Sequence, residues 1–171
     1  MRRTIERTKG AALAGEDFSD FFRREYRRLA RACLLLTGDA SEAEDLAQDA
    51  LARVYMRWDE VGAMDAPEGY LYTTALNLNR KRLRRIAVRA RHAVSPGVGA
   101  DEAGVVEERL DVLRAVAALP MGQREALVLV EWLDLDIDEV AGLIGIAPAS
   151  VRGRLHRARR TLRERFGGTD A

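Results

Sequence analysis

The chain has 171 residues, 47% hydrophobic and 32% charged, with a formal net charge of +1, which allows one domain or two small ones with an ample core and large solvated faces. One cysteine excludes an intramolecular disulfide, two histidines without a His-x-x-x-His pair argue against a zinc site, and no apolar run approaches a membrane span. The small net charge hides a segregated distribution: residues 80–91 carry seven Lys or Arg and no acid, and residues 151–171 carry seven Arg against two acids, while residues 99–150 carry eleven acids against three Arg. Two basic blocks in an otherwise acidic or balanced chain are the footprint of a polyanion-binding protein.

Residues 1–14 read as a frayed tail whose basic start lacks the apolar core of a signal peptide, so a reducing cytoplasm is the expected compartment. From Asp17 to Leu36, Phe18, Phe21, Phe22, Tyr26, Leu29, Cys33 and Leu36 recur at helical spacing, and Gly38 supplies a stop. The setting of Cys33 among Leu34, Leu35 and Leu36 predicts a buried, unreactive thiol. Ser41 and Glu44 have capping-box spacing for a second helix running to about Trp58. Its apolar stripe is Ala43, Leu46, Ala47, Ala50, Leu51, Val54 and Trp58, and Glu42, Asp45, Gln48 and Asp49 form an acidic patch near its start. After a loop at 61–66, Pro67 opens a third helix that turns Leu71, Ala75, Leu78 and Ile86 inward. Thr73, Asn77, Arg80 and Arg84 share one of its faces, and Lys81, Arg82 and Arg85 extend the charge.

Residues 93–104 contain Pro96 and three Gly without periodicity, and read as a linker between two domains. Four helical stretches follow: Val105 to Leu119, Gly122 to Leu133, Asp136 to Ile144 and Pro148 to about Phe166, with a capping box at Asp136 and Glu139 and a turn at Gly145. No strand pattern appears, so the expected fold class is all-α, two small helical domains joined by a flexible linker. On the last helix Val151, Leu155, Ala158 and Leu162 form the inward stripe, with Gly153, His156, Arg157 and Arg160 opposite and Ser150, Arg152 and Arg163 beside them. A short helix, a Gly turn and a second helix with a cationic outer face is the geometry that enters a major groove, where Arg bonds guanine edges or clamps phosphates. No Gly-rich phosphate loop and no nucleophile–His–acid set is evident, so neither an enzyme nor a cofactor is expected.

These segments resemble the extracytoplasmic-function (group IV) sigma factors of bacterial RNA polymerase, in the sigma-70 superfamily and its actinobacterial sigma-E-like type. Ala43-Glu44-Asp45-Leu46-Ala47-Gln48-Asp49 resembles the family's AEDLxQ segment of region 2, and Tyr70-Leu71-Tyr72 through Asn77-Leu78 to Arg84-Arg85 resembles its WL…N…RR segment. Leu119-Pro120, Arg124, Glu139-Val140-Ala141 and Ser150 to Arg159 resemble the LP…R…EIA…TVxxRLxRAR signature of region 4. The resemblance covers about residues 16–166 and implies region 2 at 15–92 and region 4 at 105–167. It implies binding to the polymerase β′ coiled coil through Asp45, Leu46, Gln48 and Asp49. It implies capture of an unstacked −10 base between the loop at 61–68 and the helix face bearing Asn77, with Thr73, Arg80, Lys81 and Arg84 as further −10 contacts. It implies reading of the −35 element by Ser150, Arg152, Gly153, Arg154, His156, Arg157 and Arg160, contact with the β flap, and control, as in many members, by an anti-sigma factor. The chain departs from the family pattern at Leu76, where many members have Arg, at Leu51 for Phe, and at Ala147 for the N-cap Ser. Two rival readings remain open on the residues alone: a helix-turn-helix regulator that dimerises on a palindrome without binding polymerase, and a nucleic-acid-processing enzyme.

Overall fold

A computed structural model describes residues 17–92 and 107–167, and among them every regular element is helical. The expected tail and linker lie outside the described residues. Helix α1 (Phe18–Thr37) buries Phe21, Leu29, Ala32, Cys33 and Leu36 and stops at Gly38, which takes the left-handed conformation at φ 77° and returns its N–H to the Leu34 carbonyl at 2.8 Å. Phe22, read as part of the inward stripe, is instead exposed and stacks on Tyr26 at 5.1 Å.

Helix α2 (Ala40–Tyr55) starts earlier than its sequence predicts. Asp39, not Ser41, is the N-cap and accepts from the Glu42 N–H at 2.8 Å. The D-x-x-E spacing two residues upstream serves the same purpose as the expected box, and the Asp charge also favours the positive helix end. Ala43, Leu46, Ala47, Ala50, Leu51 and Val54 are buried as the stripe requires. Trp58 does not continue α2. It opens a single turn, α3 (Trp58–Val61), and its ring lies 4.9 Å from Phe21 and 5.4 Å from Phe18. Helix α4 (Pro67–His92) buries Leu71, Tyr72, Ala75 and Leu76, but Ile86 is 46% exposed. Residues 84–88 are exposed on every side because this part of the helix projects beyond the body it packs on.

Helices α5 (Glu107–Ala117) and α6 (Met121–Leu127) follow, and α6 runs into a π-helical turn at Val128–Trp132. Helix α7 (Ile137–Ile144) has the full capping box: Asp136 accepts from the Glu139 N–H at 2.8 Å and Glu139 accepts from the Asp136 N–H at 2.9 Å. Gly145 at φ 70° turns the chain into α8 (Pro148–Phe166), whose N-cap Ala147 offers no side-chain bond, as expected.

The two halves share one apolar core. Helix α1 packs on α2 and α4 and also on α5, α6 and the π turn. Leu29, Ala32, Cys33, Leu36, Tyr72, Ala75 and Leu76 of the N-terminal half enclose a void of only about 10 Å³ with Val128, Leu129 and Leu133 of the C-terminal half. Glu25 is 3% exposed in this core. Its carboxylate accepts from Tyr72 Oη at 2.6 Å and from Arg24 Nε at 2.9 Å, which is what makes a buried acid tolerable. Burial, then the Glu25 charge, hold the Tyr72 hydroxyl well above its ordinary range, so it stays a donor. Tyr72→Phe should therefore destabilise the chain by about 1–3 kcal/mol in urea denaturation, by taking a donor from a buried carboxylate. Burial pushes the Cys33 thiol up to about 12. Thiolate then forms only as the pH nears that value, so iodoacetamide at about pH 8 should leave the native protein unmodified and label it on unfolding.

Candidate nucleic-acid interface

The α7–Gly145–α8 segment forms the predicted helix-turn-helix. Val151, Leu155 and Ala158 are buried, which fixes the rotation of α8 and turns the opposite face outward. Ser150, Arg152, His156, Arg157 and Arg160 are exposed, and Gly153 is half-buried in their midst. The Arg157 guanidinium folds over Gly153, 3.5 Å from where a Cβ would stand. Arg154 differs from its neighbours: it is half-buried, and its guanidinium lies against Gly122 of α6, where a Cβ would come within 2.9 Å. Arg159 is engaged by Glu131 of the π turn. The cationic face is thus carried by Arg152 and Arg157, with Arg160 beside them at 3.7 Å from Glu164.

On α4, Asn77, Lys81 and Arg84 are exposed and Thr73 is half-buried. Arg80 does not stand free with them. Its Nε and Nη2 each donate at 2.7 Å to the two oxygens of Glu125 on α6, a bidentate pair in which Glu125 is 1% exposed. That hydrogen bond raises the Arg80 pKa above its usual value.

Beside Asn77 and Lys81 a cavity of about 440 Å³ opens, lined also by Arg53, Met56, Arg57, Tyr70, Thr74 and Leu78. It lies in the size range of small-ligand pockets and combines two apolar side chains, one aromatic ring, an amide, a hydroxyl and cations. Tyr70 lines this cavity and is half-buried against the core, whereas Tyr72 at 1% exposure lies inside it. Arg57 orients the Tyr70 ring: its Nη1 donates to Tyr70 Oη at 2.8 Å, its guanidinium lies 5.5 Å from the ring centroid, and its Nη2 donates to Glu60 at 2.5 Å. Arg53 and Arg57 were missed by sequence reasoning. Their i, i+4 spacing near the end of α2 was the available signal, but the lone Arg of each turn gives no periodic stripe.

Asp45, Gln48 and Asp49 are exposed on the outer face of α2, and Gln48 Nε2 donates to Glu44 at 3.2 Å. Leu46 departs from the expectation of an apolar docking contact: at 6% exposure it belongs to the core. Among the described residues no group of three His, Cys, Asp or Glu is arranged to hold a metal. No helix of these residues is long and apolar enough to cross a membrane.

Residues 21–89 match the family of sigma-70 region 2, and residues 109–162 match that of sigma-70 region 4. The RNA polymerase sigma-E factor of Streptomyces avermitilis is 27% identical over 156 residues, covering 90% of this chain and 87% of that protein. The ECF RNA polymerase sigma factor SigM of Mycobacterium tuberculosis is 30% identical over 154 residues, covering 88% of this chain and 77% of that protein. The sigma factor RpoE of Bartonella quintana, solved with the anti-sigma factor NepR, shares the fold with a TM-score of 0.73 at 23% identity, over 92% of this chain and all of that one. Matches that run through both halves in order decide against a regulator that borrows only a helix-turn-helix. The chain therefore belongs to the sigma-70 family, as an extracytoplasmic-function sigma factor that binds core RNA polymerase and directs it to promoters.

Proposed function

We propose that residues 15–92 act as region 2, residues 93–104 as the linker and residues 105–167 as region 4, with the interfaces divided residue by residue as follows. Asp45, Gln48 and Asp49 bind the β′ coiled coil, over Leu46 as packing beneath them. The cavity beside Asn77 receives an unstacked base of the −10 element, and Thr73, Arg80, Lys81 and Arg84 hold the strand around it. Ser150, Arg152, Gly153, His156, Arg157 and Arg160 meet the −35 element. Arg154 joins them from its half-buried place against Gly122 of α6. The factor works by binding, without catalytic chemistry, in the cytoplasm. An anti-sigma partner such as the one bound to RpoE is part of the same reading.

The observation that carries this is the cavity at Asn77. Unstacking a base costs a few kcal/mol, and the cost must be recovered where the base lands. Tyr70 offers a ring face, Asn77 offers both a donor and an acceptor to a base edge, and Arg53, Arg57 and Lys81 offer charge to the phosphates. On α8, each good bidentate contact from Arg152 or Arg157 would discriminate between bases by about 1–3 kcal/mol.

The test is transcription in vitro from genomic DNA with purified core polymerase. The wild-type chain should bind core and start transcripts at a defined set of promoters, and failure of both would refute the reading. Asn77→Ala should lower open-complex formation by about tenfold, corresponding to the loss of one base-edge contact, and leave core binding intact. Asp45→Ala with Gln48→Ala should do the reverse. Arg152→Ala with Arg157→Ala should weaken binding to duplex −35 DNA, relax its sequence preference and flatten its salt dependence, because two cations that face the polyanion are lost.

A further inference from the structure

The single turn α3 supports the cavity beside Asn77 from outside. Trp58 packs its ring against Phe21 and Phe18, and Val61 is fully buried, so both ends of the turn are anchored in the core. Gly62 then passes over Trp58 so closely that a Cβ there would stand 2.9 Å from the indole and from the Trp58 carbonyl. The Arg57 carbonyl receives the Glu60 and Val61 N–H groups at 3.0 and 2.9 Å. The backbone that carries Arg57 and Glu60 is therefore fixed, while both side chains are exposed.

One guanidinium joins this turn to the start of α4: Arg57 Nη2 donates to Glu60 at 2.5 Å and Nη1 to Tyr70 Oη at 2.8 Å. With side chains 52% and 66% exposed, the Arg57–Glu60 pair contributes little to stability, since water screens it. Its effect is geometric. A base that stacks on a loose ring must stop the ring's torsions, and a ring already held loses less freedom on capture. Tyr70 is half-buried, and Thr74 Oγ1 donates to its carbonyl at 2.8 Å, so the backbone beneath the ring is steadied as well. Because Tyr70 Oη accepts from Arg57, its own proton is left to donate to an oxygen or ring nitrogen of the strand.

We propose that Glu60 and Arg57 are positioning residues for base capture: Glu60 holds Arg57, and Arg57 sets the Tyr70 ring as a wall of the cavity before DNA arrives. The proposal rests on the reading of that cavity as the −10 base site made above, and adds to it two residues that act through Tyr70. Arg57 thus does more than bring charge. Its planar fork reaches two oxygens on different helices at once while lying 5.5 Å from the Tyr70 ring centroid, a geometry that a lysine ammonium does not reproduce.

The test uses the full chain with core polymerase and single-stranded −10 oligonucleotides from a promoter found on genomic DNA. 2-Aminopurine is placed beside each −10 base in turn, where it brightens when its neighbour leaves the stack. The wild-type chain should brighten one position. Arg57→Gln, Arg57→Lys and Tyr70→Phe should each weaken oligonucleotide binding by about fivefold, the scale of one hydrogen bond, and reduce the brightening, with core affinity and the urea midpoint unchanged. Glu60→Ala should show the same loss in smaller measure. Arg57→Gln combined with Tyr70→Phe should be no worse than either alone, because both cut one link. Losses that multiply in the double variant, or full capture by Arg57→Lys, would show that Arg57 serves by charge alone and overturn the proposal. Full capture by Glu60→Ala overturns the part given to Glu60. A wild-type chain that brightens no position faults the cavity reading itself, and the proposal with it.

Discussion

Helix α1 is the element against which both halves of the chain must pack. One side is buried by α2 and α4, and another by α5, α6 and the π turn. Its apolar positions are therefore tightly constrained: Phe21, Leu29, Ala32, Cys33 and Leu36 are all within 4% of full burial. Even the acid at Glu25 is enclosed, held by Tyr72 from α4. Because α1 takes up the apolar surface of both halves, the outer faces of α2, α4 and α8 remain in solvent, and those are the faces proposed to meet polymerase and DNA.

Charge follows the same logic. The acidic stretch at 99–150 supplies partners to both basic blocks: Glu125 pairs with Arg80, and Glu131 pairs with Arg159. The two pairs differ in kind. The Glu131–Arg159 pair is about half exposed and contributes little, since water screens it. Glu125 is buried, so removing its partner would strand a desolvated carboxylate, a loss of about 3–5 kcal/mol. The near-neutral total charge thus conceals basic blocks in which some cations are held by acids from the other half of the chain and others stay exposed.

Local pattern was legible wherever the cause was local. The stop at Gly38, the start at Pro67, the capping box at Asp136 and Glu139, the turn at Gly145 and the buried stripe of α8 all follow from backbone chemistry within a few residues. The uncapped Ala147 start was legible for the same reason. What escaped depended on contacts distant in sequence. Glu25 and Glu125 read as surface charges, and only Tyr72, 47 residues away, and Arg80, 45 residues away, make them interior. Ile86 fits a helical stripe, yet nothing lies beside it to bury it. The cap of α2 is the local exception: Ser41 and Glu44 have box spacing, yet Asp39 takes the cap and brings a charge that the helix end favours. Tyr70 and Tyr72 lie two positions apart, and only the rotation of α4 against α1 and α2 puts Tyr72 inside and leaves Tyr70 at the edge of the core. In the candidate site, the exposure of Asn77, Lys81, Arg152, Arg157 and Arg160 was legible from their helix faces. Arg53, Arg57 and Met56 were not, because the cavity forms only when the end of α2 meets the start of α4.

The most direct measurement of the shared packing on α1 is small-angle X-ray scattering from the free full-length chain. A chain of this length with both halves docked should give a radius of gyration near the roughly 16 Å of a compact single body, and a distance distribution with one maximum. A radius well above that value, with two separate maxima from two tethered bodies, would contradict the account.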